Sequence, residues 1–281
     1  MTASAAGPRL VIFDLDGVVY RGSQPVPDIA ATIERLERSA IGVRFATNNS
    51  TADRAAYVSR LAGMGIRTEA DHIVTSTSAT VAHLQLHLPA VRSVLAVGGD
   101  GMVDELRAAG FAVTPAAAAV PDDYDGGPLP ARHDAVVVGL DRTLTYRRIA
   151  AAMTAVREGA LLVATNADER YPTASGFLPG AGAAVAALRV ATGVEPLVIG
   201  KPEPAMFTSI LERAGIAPEE ALIVGDNPAA DIVAARRAGI PSVLVLTGVA
   251  DAAAAAALEG ERRPDVILPS AAELPDHFGL P

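Results

Sequence analysis

Residues 10–18 read Leu-Val-Ile-Phe-Asp-Leu-Asp-Gly-Val. The apolar run Leu10–Phe13 is too short for a helix, and Asp14 cuts it off. A run of this length that ends at a charge and a glycine reads as a buried strand entering a tight loop. The pattern recurs in Val43–Ala46, Val94–Val97, Ala135–Val138, Leu161–Ala164, Leu197–Ile199, Leu222–Val224 and Val243–Leu246. Helical spacings lie between these runs. Ile29, Ile33 and Leu36 share a face over 28–38, and Val58 and Leu61 do so over 55–64. Strands that alternate with helices predict an α/β fold with a mostly parallel sheet. Residues 116–130, rich in Ala, Pro, Gly and Asp, read as a loop. Turn-like joints at 67–72 and 192–196 set a module of 88–195 inside a core built from 1–87 and 196–281.

Composition narrows the function. The chain has 281 residues, with 23 Lys+Arg against 32 Asp+Glu and a formal net charge of −9. Such an acidic chain is poorly suited to nucleic acid or an anionic membrane surface. It has no cysteine, which excludes disulfides, thiolate catalysis and Cys-zinc sites. It has no tryptophan, and only 4% of its residues are aromatic, so stacking on bases is not its main binding mode. No apolar stretch reaches the ~18 residues of a membrane span. The N-terminal stretch through Phe13 does not read as a signal peptide, so the expected location is the cytoplasm.

In open parallel sheets ligands bind at the carboxyl ends of the strands. After Leu10–Phe13 come Asp14 and Asp16; after Val43–Ala46 come Thr47 and Asn48. After Leu197–Ile199 comes Lys201; after Leu222–Val224 come Asp226 and Asp231. Carboxylates gathered that closely cannot all ionise unless protons or a cation compensate them. All-oxygen ligands suit Mg²⁺, which takes one or two carboxylates, waters and a substrate phosphate oxygen. Thr47, Asn48 and Lys201 are then donors for phosphate oxygens. One aspartate can act as nucleophile, and the other can move the leaving-group proton.

Each piece also has a plainer reading. Asp-x-Asp alone is common. Gly225-Asp226 fits a turn with a helix cap, and Thr47–Thr51 fits another cap. Lys201 fits a solvated residue ahead of a helix. Four such loops in this order, all at strand ends, outweigh those readings together. Other motifs stay structural. His83 and His87 lack a third ligand, Gly98–Gly101 reads as a strand-to-helix turn, and Gly180–Gly182 reads as a loop entering a helix.

Together these residues resemble the haloacid dehalogenase superfamily. Asp14-Leu-Asp16-Gly matches its first motif, Thr47 its second, Lys201 its third and Gly225-Asp226…Asp231 its fourth. The stretches 45–50, 138–146, 164–168 and 179–182 further resemble subfamily IIA, which holds the NagD-like, 4-nitrophenyl phosphate and phosphoglycolate phosphatases. The resemblance runs from about Arg9 to about Ile267. It implies a Rossmann-like core with an inserted α/β cap of the C2 type, a small phosphorylated metabolite as substrate, and the option of a homodimer. It implies Asp14 as nucleophile and Asp16 as general acid and base. Mg²⁺ would sit on Asp14, the Asp16 carbonyl and Asp226. Thr47, Asn48 and Lys201 would hold the phosphoryl group, with Asp231 behind Lys201 or metal-bound water. Asn166, Asp168 and Arg170 match a cap loop that selects substrate, where Arg170 suits a substrate carboxylate. Val18 stands where many members have Thr, and Asn227 and Ala230 where this subfamily often has Arg and Thr. A dehalogenase would need neither Asp16 nor a metal. A phosphomutase fits a large cap less well, and a binding module would not need the full catalytic set.

Overall fold

The computed structural model describes residues 7–49, 53–173 and 176–280. The chain forms two compact units. One holds the segments up to Thr47, Arg54–Val74 and from Lys201 onward; the other holds Thr75–Gly200 with the short stretch from Asn48. The second unit therefore takes in the helix at 76–87, ahead of the expected division at 88.

The first unit starts with β1 (Leu10–Phe13), all four residues buried. A small hairpin follows, β2 (Tyr20–Arg21) and β3 (Gln24–Pro25). Helix α1 (Ile29–Arg38) buries Ile29, Ile33 and Leu36 on one face, the spacing read from sequence. β4 (Gly42–Thr47) pairs parallel with β1, Phe13 opposite Phe45. Helix α2 (Arg54–Gly63) buries Tyr57 and Leu61, and β5 (Ile73–Thr75) lies beside β4.

In the second unit, α3 (Ser76–His87) opens on a capping box, in which Thr75 Oγ1 accepts from Ser78 N and Ser78 Oγ from Thr75 N. The remaining elements alternate: β6 (Ser93–Val97), α4 (Asp100–Ala108), β7 (Ala112–Pro115), β8 (Ala135–Val138), α5 (Tyr146–Arg157) and β9 (Leu161–Ala164). A hairpin, β10 (Arg170–Thr173) and β11 (Gly176–Pro179), leads into α6 (Ala181–Thr192) and β12 (Leu197–Val198). The five-stranded parallel sheet has the order β12-β9-β8-β6-β7. Its core is small and aliphatic, with Leu95, Val136, Leu162 and Leu188 among the buried residues.

The chain returns to the first unit with α7 (Ala205–Ala214), β13 (Ala221–Gly225), α8 (Val233–Arg237), β14 (Ser242–Val245), α9 (Ala252–Ala256), β15 (Val266–Leu268) and α10 (Leu274–His277). The six-stranded sheet has the order β15-β14-β13-β1-β4-β5, with β1 parallel to both neighbours. Among the described residues no helix is long and apolar enough to cross a membrane.

One local reading needs correction. Gly180 was expected to enter its helix from a loop, but Pro179 ends β11 and Gly180 caps α6. Ser50 and Thr51, read with Thr47–Asn49 as a helix cap, lie outside the described residues.

Candidate active site

Strand order runs outward from β1 in both directions, toward β13 on one side and β4 on the other. That reversal is where open α/β sheets bind ligands. Asp14 leaves the end of β1, Thr47 ends β4, and Asp226 follows β13. Lys201 heads the segment that leads into α7.

Lys201 ties the cluster together. It is buried, and its Nζ donates to Asp14 Oδ1 at 2.5 Å, Asp231 Oδ1 at 2.7 Å and the Ala46 carbonyl at 3.3 Å. Burial opposes its charge, but Asp14 and Asp231 outweigh burial and hold its pKa above the usual lysine range. Asp231 gets there through a turn of π-helix at Pro228–Ile232, opened by Asn227, whose side chain accepts from Ala229 N. This turn folds the Asp231 carboxylate back on its own loop, where Oδ2 accepts from Asp226 N at 3.2 Å and Asn227 N at 3.0 Å. The cap that the plainer reading puts at Gly225-Asp226 falls instead on Asn227, while Asp231 reaches Lys201.

Carboxylate oxygens of Asp14, Asp226 and Asp231 all lie within 4.8 Å of one another. Burial pushes Asp14 well above the usual carboxylate range, against the pull of Lys201. Burial and then Asp231 push Asp226 up to about 7. Three carboxylates against one ammonium leave an uncompensated negative site, which suits a divalent cation with oxygen ligands. The donor set sorts itself. Asp231 commits both oxygens to protein donors. Asp14 gives one to Lys201, and Asp226 gives one to Val249 N at 2.7 Å. The Asp226 carboxylate also lies against bare backbone. A Cβ built on Gly17 would fall 2.4 Å from Asp226 Oδ2, and one on Gly248 would fall 1.9 Å from it. Gly17 also has φ 86°, which disfavours any side chain. These residues fit Mg²⁺.

Asp16 is half-buried on the turn after β1. Burial raises its pKa, while the charges of Arg60 and Lys201 pull it back. Sequence reasoning did not find Arg60. It lies on α2 outside the motifs, and an arginine on a helix gives no local signal.

The remaining site residues come together in the second unit. Asn48 Nδ2 donates to Asp168 Oδ1 at 2.9 Å. Asn166 is buried, and its Nδ2 donates to the Asn48 carbonyl at 3.0 Å and to Ser76 Oγ at 3.3 Å. Its Oδ1 accepts from Asp168 N at 3.1 Å. Ser76 Oγ donates to the same Asn48 carbonyl at 2.8 Å. The loop after β9 is thus laced to Asn48, the residue that follows Thr47. Arg170 is exposed on the β10–β11 hairpin, its guanidinium 5.9 Å from the Phe177 ring centroid.

A parallel-sheet core with an inserted α/β unit and an acidic cluster at its switch point defines a hydrolase class, and comparison with known proteins agrees. The haloacid dehalogenase-like hydrolase family model matches residues 11–112, and a second HAD-hydrolase-like model matches 198–274. The chain belongs to the haloacid dehalogenase-like hydrolases, in their NagD-like branch. It is 37% identical over 257 residues to a D-glycerol 3-phosphate phosphatase of Mycobacterium tuberculosis, covering 92% of this chain and 68% of that protein. Its fold is similar to a 4-nitrophenylphosphatase from Thermotoga maritima, with TM-score 0.83, 31% identity, and 96% and 97% of the two chains covered. It is also similar to a glycerol phosphate phosphatase from M. tuberculosis solved with magnesium, with TM-score 0.81, 36% identity, and 98% and 78% covered.

Proposed function

We propose that the protein is a Mg²⁺-dependent phosphatase that hydrolyses small phosphomonoesters through an aspartyl-phosphate on Asp14. The Lys201–Asp14–Asp231 cluster beside Asp226, with Lys201 and Asp231 buried, carries this reading. Asp14, Asp226 and the Asp16 carbonyl would hold the Mg²⁺. Bound there, the ion would offset the carboxylate charge and supply Lewis-acid stabilisation of the phosphoryl group.

The chain's own groups do the rest. Asp14 attacks phosphorus, and Asp16 gives its proton to the departing alkoxide oxygen. Asp16 then takes a proton from the water that cleaves the acyl phosphate. Lys201, Thr47 and the backbone at Asn48 hold the transferring group, so catalysis is chiefly positioning and electrostatics. The net charge of −9 repels a phosphate dianion, but screening beyond ~8 Å leaves the local cations in control.

Asp231 acts through Lys201, fixing its ammonium beside Asp14. Residues 88–195 form the substrate-selecting cap, and Arg170 meets a carboxylate where the substrate has one. The substrate is a free metabolite in the cytoplasm rather than nucleic acid, and the working form is a homodimer. The named activities of the relatives, on glycerol phosphate and 4-nitrophenyl phosphate, support the substrate class.

The test is phosphate release from 4-nitrophenyl phosphate, glycerol 3-phosphate, phosphoglycolate and nucleoside monophosphates, with Mg²⁺ or a chelator. Release that requires Mg²⁺ is expected. Tight binding of these compounds without release would favour a binding module instead.

A further inference from the structure

The segment that carries Asp16 lies outside the main sheet. It turns at Gly17 and runs into the β2–β3 hairpin, with Gly17 N donating to the Tyr20 carbonyl at 2.7 Å and Val19 N to the Leu15 carbonyl at 2.9 Å. Two side contacts fix this turn to the rest of the first unit. On one side, Thr247 Oγ1 donates to the Gly17 carbonyl at 2.6 Å, and Arg21 Nε donates to the Thr247 carbonyl. On the other side stands Arg60, from α2. Its guanidinium lies 3.7 Å from the centroid of the buried Tyr20 ring. It also donates to the Gly22 carbonyl, at the tip of the hairpin. A planar guanidinium can stack and donate at once, which an ammonium on a flexible stem does less well.

We propose that Arg60 is a positioning residue for Asp16: it latches the β2–β3 hairpin, so that the Asp16 carboxyl stands where the leaving-group oxygen departs. The inference rests on the reading of Asp16 as proton donor. In the first step an Asp14 oxygen bonds to phosphorus and the bond from phosphorus to the leaving oxygen breaks. That oxygen keeps the electron pair and takes the Asp16 proton. An alkoxide needs this proton, whereas 4-nitrophenolate, the anion of a much stronger acid, leaves without it. Loosening the hairpin therefore slows alkyl phosphates selectively. A loss of packing alone would lower both substrates alike, through the folded fraction.

The experiment measures kcat/KM, which reports the step up to the aspartyl-phosphate, for glycerol 3-phosphate and 4-nitrophenyl phosphate at saturating Mg²⁺. Wild type, Arg60→Met, Arg60→Lys and Asp16→Asn are compared, and thermal unfolding checks that each is folded. Arg60→Met is expected to lose about tenfold or more on glycerol 3-phosphate and less than about threefold on 4-nitrophenyl phosphate. Arg60→Lys falls between wild type and Arg60→Met. Equal losses on both substrates, or none, overturn the latch. If Arg60→Met does not fold, the same comparison on Arg60→Lys decides. Asp16→Asn separates the two levels of inference. If it shows no leaving-group selectivity, Asp16 is not the donor and the mechanism fails. If it is selective and the Arg60 variants are not, only the latch fails.

Discussion

Lys201 is held by two carboxylates, and they have different tasks. Asp14 is partly reachable, with 11% of its side chain exposed against 2% for Asp231, which is the difference expected between a nucleophile and a support. Asp231→Asn tests the support. The amide oxygen still accepts from Asp226 N and Asn227 N, but the amide NH₂ then faces the Lys201 ammonium, donor against donor. Lys201 should shift, and kcat should fall by about 10–100-fold with the protein still folded. Turnover within about twofold of wild type would remove Asp231 from the Lys201 assembly. The order of these residues was legible in the sequence because Asp14 directly follows an apolar run, Lys201 and Asp226 follow theirs after a single glycine, and Asp231 lies in the same loop as Asp226. The division of labour was not, since the π-helical turn that folds Asp231 back gives no signal in residue spacing. Arg60 was hidden for a related reason. Its partners Tyr20 and Gly22 lie in the hairpin after β1, and only the packed fold brings them to α2.

Among the elements, the buried strands were the easiest to read. β1, β8 and β9 match their apolar runs end to end, because strands buried on both faces, as these are apart from the exposed Leu161, leave an unbroken run. β2, β3, β7, β10 and β11 were missed. Their side chains are largely exposed or half-buried where described, so neither a run nor an alternation marks them. β5 was also missed: it is buried but only three residues long, and α3 follows it at once, so no loop sets it off. The resemblance makes the loop after β9 a substrate-selecting loop, and within the second unit its Asn166 spends its amide on Asn48 and Ser76. Asn166→Ala should cost roughly 1–3 kcal/mol of stability by leaving buried groups short of a partner. Because Asn48 follows Thr47, the same change should raise KM for every substrate by a similar factor. Denaturant unfolding and a substrate panel check both. A KM change confined to one substrate would make Asn166 a substrate contact rather than a brace.

At the scale of the molecule, the acidic cluster links stability to pH and to metal. Asp226 sits at about 7, above the ~4 of an unfolded aspartate. The stability that goes with its proton is therefore complete below about pH 4 and is lost as pH rises through about 7. Mg²⁺ needs the ionised carboxylates, so protons compete with it. The rise in Tm on adding Mg²⁺ should be larger near pH 8 than near pH 5, read by thermal unfolding with Mg²⁺ or chelator. Equal rises at both, or none, would move the ion away from Asp14 and Asp226.

The chemistry as a whole depends on Asp14 as the nucleophile. Phosphate release by Asp14→Asn, with Mg²⁺ saturating and its unfolding curve matched to wild type, is the decisive measurement. The amide keeps the shape of the carboxylate but cannot form the acyl phosphate, so release should fall to background on every substrate. Release near the wild-type rate from a pure, folded preparation would mean that phosphorus is attacked by some other group.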